Sequence, residues 1–284
     1  MTNKDFAVFI LTFGRAEKVD TYDTLRKQGY TGKIYLICST DDATIPKYRE
    51  IYGDQVIVFS KDDYRGKFDI GDNFKKNNVV VFARNAAFDI ARSLGLKYFL
   101  ELDDDYSQFQ YKLRTSEILI GKQVKSLNWL FDLFLNFLHN TPQVTSIAFA
   151  QGGDFIGGKD SGTFDSIGRK RKLMNCYFNS VDRQYQFSGR INEDVNCYVL
   201  LGKVGVLFLT HYNISVVQCL TQTNSGGLTE FYLDTGTYVK SFYTVMFNPS
   251  AVKVRAMGET HRRLHHLVKW KYAVPQIIRE TPYR

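Results

Sequence analysis

The sequence predicts an α/β protein built on a mostly parallel, doubly wound sheet. Three observations predict it. Short, nearly continuous apolar runs at Phe6–Leu11 (FAVFIL), Lys33–Cys38 (KIYLIC) and Lys97–Leu102 (KYFLEL) have the character of strands buried on both faces. Segments of helical period separate them, as parallel crossovers require. Gly29 and Gly95 close two of those segments.

The first strand ends at Thr12-Phe13-Gly14-Arg15, where a helix from about Ala16 to Gln28 begins. The second strand ends in Ser39-Thr40-Asp41-Asp42 and leads to a short helix, Ile45–Tyr52, and a third strand, Gln55–Phe59. Val79–Leu94 reads as a helix. Lys97–Leu102 is a fourth strand that runs directly into Asp103-Asp104-Asp105. Beyond it the alternation changes. Val124–His139 is a long amphipathic helix, and Thr145–Ala150 is a strand leading into the glycine-rich Gln151–Gly158. Glu230–Met246 is a late helix whose signal Gly236 weakens.

Composition narrows the class. Hydrophobic residues make up 44% of the 284, enough for a substantial core, so intrinsic disorder is excluded. No stretch approaches the ~20 apolar residues of a membrane span, and the N-terminus lacks the basic and long apolar regions of a signal peptide. Cys38, Cys176, Cys197 and Cys219 have no metal-type spacing and read as free thiols of a reducing cytosol. A soluble cytoplasmic protein, without membrane contact, is expected. The net charge of +8 suits a polyanion such as nucleic acid, or a solvated basic face. Its densest cluster is Arg169-Lys170-Arg171-Lys172.

Three consecutive acids at a strand's carboxyl end repel one another unless something neutralises them. A hard divalent cation does so through oxygen ligands, and open α/β sheets place ligands at this edge. A solvated acidic turn is the structural alternative. Arg84 lies in an apolar helical stretch and needs an anion, which Asp103, Asp105 or a bound phosphate could supply. Gly152 and Gly153 lie in a loop with neither P-loop nor dinucleotide-fingerprint spacing. In GRINEDVN, Asn192 is a good N-cap and Glu193 and Asp194 suit a first helical turn.

YFLELDDDY resembles the Asp-x-Asp motif of GT-A fold glycosyltransferases. Together with AVFILTFGRA, ARNAAFDIA, AQGGDFIGG, GRINEDVN and RRLHHLVKW, it resembles the TET-associated glycosyltransferases of phages and prophages over almost the whole chain. The resemblance implies one continuous GT-A domain, with a nucleotide-sugar-binding part (1–106), an acceptor and catalytic-base part (107–250) and a C-terminal metal-site tail (251–284). It implies transfer of sugar from a nucleotide donor, UDP-glucose by default, to a hydroxymethylated pyrimidine of DNA, in the host cytoplasm if phage-encoded.

By the same resemblance, Thr12, Phe13, Gly14, Arg15, Arg84, Asp103 and Asp104 would contact the donor. Asp103, Asp105 and His265 would hold Mn²⁺ or Mg²⁺, with His266 as the alternative to His265. Asp194 would be the base, with Glu193 as its substitute. Gly152, Gly153, Arg169, Lys170, Arg171, Lys172 and Arg190 would face the acceptor. A protein or polysaccharide acceptor is a rival reading, and a non-catalytic nucleic-acid-binding protein is a weaker one.

Overall fold

The computed structural model describes residues 4–74, 78–163, 172–218, 229–257 and 263–276, with the backbone alone at 229–237, 257 and 263. Its strands are β1 (Phe6–Leu11), β2 (Lys33–Ser39), β3 (Val56–Phe59), β4 (Tyr98–Asp103), β5 (Tyr106–Arg114), β6 (Leu119–Gln123), β7 (Val144–Gln151), β8 (Cys176–Ser180), β9 (Leu207–Gln218), β10 (Val252–Met257) and β11 (Arg263–Val268). Its α-helices are α1 (Asp20–Lys27), α2 (Ile45–Tyr52), α3 (Val81–Ser93), α4 (Leu127–Asn140), α5 (Glu193–Gly202) and α6 (Thr229–Phe247). The first nine strands form one sheet in the order β3-β2-β1-β4-β8-β7-β9-β5-β6, and β10 and β11 form an antiparallel pair of their own. Within the large sheet only β5 and β8 run against the others.

The sheet is wound on both faces because its central strands are apolar on both. Along β1, Phe6, Val8 and Ile10 enter one core with Leu25 of α1 and Leu130 and Phe131 of α4. The alternate residues Ala7, Phe9 and Leu11 enter a second core with Phe82, Ala86 and Phe88 of α3 and Val195 and Val199 of α5. Period-2 alternation thus assigns each side chain of a central strand to one of two helical layers.

Two expected helices start later than their apolar period suggests, for identifiable reasons. The amide of Val124 donates to the carbonyl of Phe109, and the Gln28 side chain donates to the carbonyls of both, so Val124 is held just past the end of β6 and α4 begins at Leu127. Residues ahead of α1 are held in a turn in which Lys18 N donates to Arg15 O. Gly29 is required where it stands: its φ is +86°, and a Cβ there would lie 2.9 Å from the Lys125 carbonyl oxygen. The late helix forms straight through Gly236, at a local cost of ~1 kcal/mol.

Gln151–Gly158 contains a tight 3-10 turn, Gly152–Phe155, capped reciprocally by Gln151 and Asp154. Lys172 pairs with Asp154 of that turn, whereas Arg169, Lys170 and Arg171 lie outside the described residues. Cys38, Cys176 and Cys197 are buried free thiols. Among the described residues no helix is long and apolar enough to cross a membrane.

Phe131 is the hub of the first core, with ring contacts to Phe6, Tyr30, Phe109, Phe149 and Phe178. Phe131→Ala should therefore cost ~3–5 kcal/mol. Urea unfolding checks this, and a midpoint at the wild-type value would mean that the aromatic cluster is not what holds this face.

Candidate active site

The acid run straddles the sheet. Leu100 and Leu102 of β4 belong to the first core and Phe99 to the second. Alternation therefore turns Glu101 and Asp103 toward the layer of α3 and α5. There they meet Arg84 of α3, which is 1% exposed. Arg84 Nη1 donates to Glu101 Oε1 at 2.8 Å, Nη2 to Asp103 Oδ1 at 3.0 Å, and Nε to Glu193 Oε1 of α5 at 2.9 Å. The Tyr177 ring of β8 lies against the guanidinium, 5.0 Å from it. One cation thus joins β4, α3 and α5.

Three carboxylates face that single positive charge. Burial pushes Glu101 up to about 7 despite Arg84. Burial, with Asp105 and Glu193 nearby, pushes Asp103 up to about 8 against the pull of Arg84. Burial works against the charge on Arg84 too, but Tyr177, Asp103, Glu193 and Glu101 outweigh it and hold its pKa well above the ordinary value. The cluster is short of positive charge.

Asp104 faces the other way. Its Oδ2 accepts from Thr12 Oγ1 at 2.7 Å and its Oδ1 from Arg15 Nη1 at 2.8 Å, tying the acid run to the turn after β1. That turn is itself braced. Gly14, at φ +72°, donates its amide to Asp42 Oδ2 at 2.7 Å, and Tyr48 OH accepts the Arg15 amide at 2.9 Å. Lys61 Nζ lies 4.8 Å from the Phe13 ring centre and pairs with Asp41 at 2.9 Å. Asp105 accepts from Gln218 of β9 through Oδ2 at 3.1 Å, while its buried Oδ1 has no hydrogen-bond partner.

At the start of α5 the structure corrects an expectation. Asn192 occupies the N-cap position, but its backbone is left-handed (φ 54°) and its side chain makes no cap. It donates instead to the Lys240 carbonyl at 2.8 Å and to Thr244 Oγ1 at 3.2 Å, binding α5 to α6. Glu193 is engaged by Arg84, and Asp194 is outside that set of hydrogen bonds. Burial first, then the Glu193 charge, pushes Asp194 up to about 6.

The expected metal set is not assembled. Among the described residues no three His, Cys, Asp or Glu side chains converge to hold an ion. His265 lies on β11, with its ring edge-on to His266 at 4.3 Å and its Nδ1 2.9 Å from the His266 carbonyl oxygen. Burial, with His265 and Lys240 beside it, lowers His266 to about 4. Asp103 turns to Arg84 and Asp105 to Gln218. Arg190 is also buried, at 1% exposure, and grips both oxygens of Asp72 at 2.9 Å. Cβ atoms at Gly152 or Gly153 would meet nothing within 4 Å.

Sequence reasoning missed Asp41, Asp42, Tyr48, Lys61 and Gln218 as parts of the site, and also Asn175, whose Oδ1 accepts from Arg84 Nη2 at 3.4 Å. A signal existed for the first two, since they end a parallel strand at the ligand edge of the sheet. The others reach the site through tertiary packing that leaves no local pattern.

The sequence profile of the TET-Associated Glycosyltransferase family matches residues 6–227. Among curated proteins none matches the chain. Similar solved structures include a mannosyltransferase from Pyrobaculum calidifontis in complex with GDP-Man and Mn²⁺. Its TM-score is 0.47 at 11% identity, over 78% of this chain and 58% of that one. Another is glucosyl-3-phosphoglycerate synthase from Mycobacterium tuberculosis with Mn²⁺ and UDP-glucose, with a TM-score of 0.46 at 8% identity, over 93% and 86% of the two chains. S. aureus TarS is a third, with a TM-score of 0.43 at 13% identity, over 86% and 40%. This chain thus spans about three fifths of the mannosyltransferase.

Asp104 ends two buried or half-buried donors at once. Asp104→Asn can satisfy one of them but not both, and it removes the charge facing Arg15, so it should lower stability by roughly 1–3 kcal/mol. Chemical unfolding of the variant checks this, and an unchanged midpoint would show that the turn after β1 does not depend on the acid run.

Proposed function

This chain belongs to the TET-associated glycosyltransferase family, and on that premise we propose that it transfers a sugar from a nucleotide-sugar donor to the hydroxyl of a 5-hydroxymethylpyrimidine in DNA. The observation that carries the reading is the Arg84 junction. Through it the carboxylates at the end of β4 and the acidic first turn of α5 are fixed against one another. Donor chemistry belongs to the first group and acceptor chemistry to the second.

The donor nucleoside lies against the turn after β1, where Phe13 offers a face and the amides of Gly14 and Arg15 are held by Asp42 and Tyr48. The diphosphate lies at the end of β4. The residues there fit a hard divalent cation: the donor atoms are all carboxylate oxygens, Asp105 Oδ1 is buried without a partner, and Asp103 is raised by burial first and then by the negative charge of Asp105 and Glu193. Asp103 and Asp105 would hold it, completed by diphosphate oxygens, as Mg²⁺ and Mn²⁺ sites with few protein ligands commonly are. Bound there, such an ion would offset charge on the departing nucleoside diphosphate.

Asp194 is the base. Glu193 is committed to Arg84, and Asp194, raised to about 6, is ionised at neutral pH yet able to take a proton. It accepts the hydroxyl proton as the acceptor oxygen attacks the anomeric carbon from the face opposite the leaving group, which inverts that centre. The basic composition supports a polyanionic acceptor.

Hydroxymethylated DNA treated with the protein, Mn²⁺ and a panel of nucleotide sugars should yield glycosylated hydroxymethylpyrimidine nucleosides by mass spectrometry. Donor turnover that leaves every nucleoside unmodified would reject DNA as the acceptor. Asp194→Asn should slow transfer by ~10²–10⁴-fold. Because the base must be deprotonated, wild-type kcat/KM should rise with pH and level off above about 6, and the variant should lack that limb. A variant with the wild-type rate and profile would remove Asp194 from the chemistry.

A further inference from the structure

A cavity of about 660 Å³ opens beside the lead-in to α5, and no residue of the acid run lines it. Its walls carry Tyr64, Phe68, Phe74 and Phe82, with Asp69 and the buried Arg190 among the polar lining groups. The volume is that of a small-molecule site. Arg190 holds it in shape, with Nε between the two oxygens of Asp72 and Nη2 donating to the Phe74 carbonyl at 2.8 Å.

Backbone pairing couples this wall to the candidate base. Gly189 N donates to Asp69 O at 2.7 Å and Arg190 N to Ile70 O at 2.9 Å. Arg190 precedes Asp194 by four residues, which places the two within about 14 Å of each other along the chain. Close packing on α6 fixes the same wall. A Cβ at Gly71 (φ +83°) would lie 3.0 Å from the Phe247 ring, and one at Gly189 (φ +91°) 2.8 Å from it.

The lining selects the ligand. Phosphate is disfavoured, because the two lining cations are already engaged, Arg190 by Asp72 and Arg65 by Asp62, and the Asp69 and Asp72 carboxylates flank the space. Aromatic faces with the Asp69 carboxylate as an acceptor suit a flat, neutral ring that carries N–H donors. An aminopyrimidine has both features. A base cannot reach a buried catalytic carboxylate while stacked in a duplex, so it must turn out into a pocket that stacks it and reads its edge.

We propose that this cavity receives the acceptor pyrimidine turned out of the DNA stack, an assignment that rests on the DNA reading above. Phe74, half exposed at the rim, supplies a stacking face. The test uses duplex DNA with one 5-hydroxymethylcytosine beside a 2-aminopurine. Binding of the wild-type protein should raise the 2-aminopurine fluorescence as its neighbour leaves the stack. Phe74→Ala should raise KM for the DNA on the order of tenfold, more than it lowers kcat, and Phe74→Tyr should restore it. A wild-type KM for DNA in Phe74→Ala, or a rise confined to the donor KM, overturns the assignment while DNA transfer stands. A wild-type protein that leaves this DNA unmodified overturns both.

Discussion

Three carboxylates, from β4 and the first turn of α5, meet one guanidinium in a space almost closed to water. Arg84 bridges these elements. Its planar fork lets a single residue address Glu101, Asp103 and Glu193 in different directions. A buried cluster of this kind need not add stability overall, since desolvation opposes it. It does penalise arrangements in which any member loses its partner. The spacing between the end of β4 and the acidic first turn of α5 is set in this way.

The acid run is divided because β4 ends at Asp103 and the chain turns at Asp104 and Asp105, so the three side chains point to different sides. Asp103 serves the α3 and α5 layer, and Asp104 serves the turn after β1. Asp105 reaches β9. Three like charges in sequence are thus distributed to three different neighbours, and the local repulsion is answered by structure on each side. What remains is a deficit of positive charge around Asp103 and Asp105, which a nucleotide donor bound with a cation would relieve.

Much of this was legible in the sequence. The apolar runs identify β1, β2 and β4 because burial on both faces demands continuous hydrophobicity, and Ile45–Tyr52 is helical over the expected residues. Arg84 could be singled out as needing an anion because it interrupts an apolar helix, although sequence could not show that Glu101 and Glu193 would share it. Asn192 misled, since a good capping residue was read from local chemistry while α6 supplied its partners. Arg190, expected to face the acceptor, is buried on Asp72 and lines the cavity beside α5, a placement that sequence alone could not give. Contacts between elements far apart in the chain leave no periodic trace, so Lys61, Tyr48 and Gln218 emerged only from the fold.

The central claim is that Arg84 and its carboxylates form one interdependent unit. A double-mutant cycle on unfolding free energy between Arg84→Met and Glu101→Leu tests it most directly. Arg84→Met alone leaves buried carboxylates uncompensated and should cost ~3–5 kcal/mol. Glu101→Leu added to it should restore part of that loss, giving a coupling energy of about 1 kcal/mol or more. Effects that simply add, within ~0.5 kcal/mol, would contradict the account.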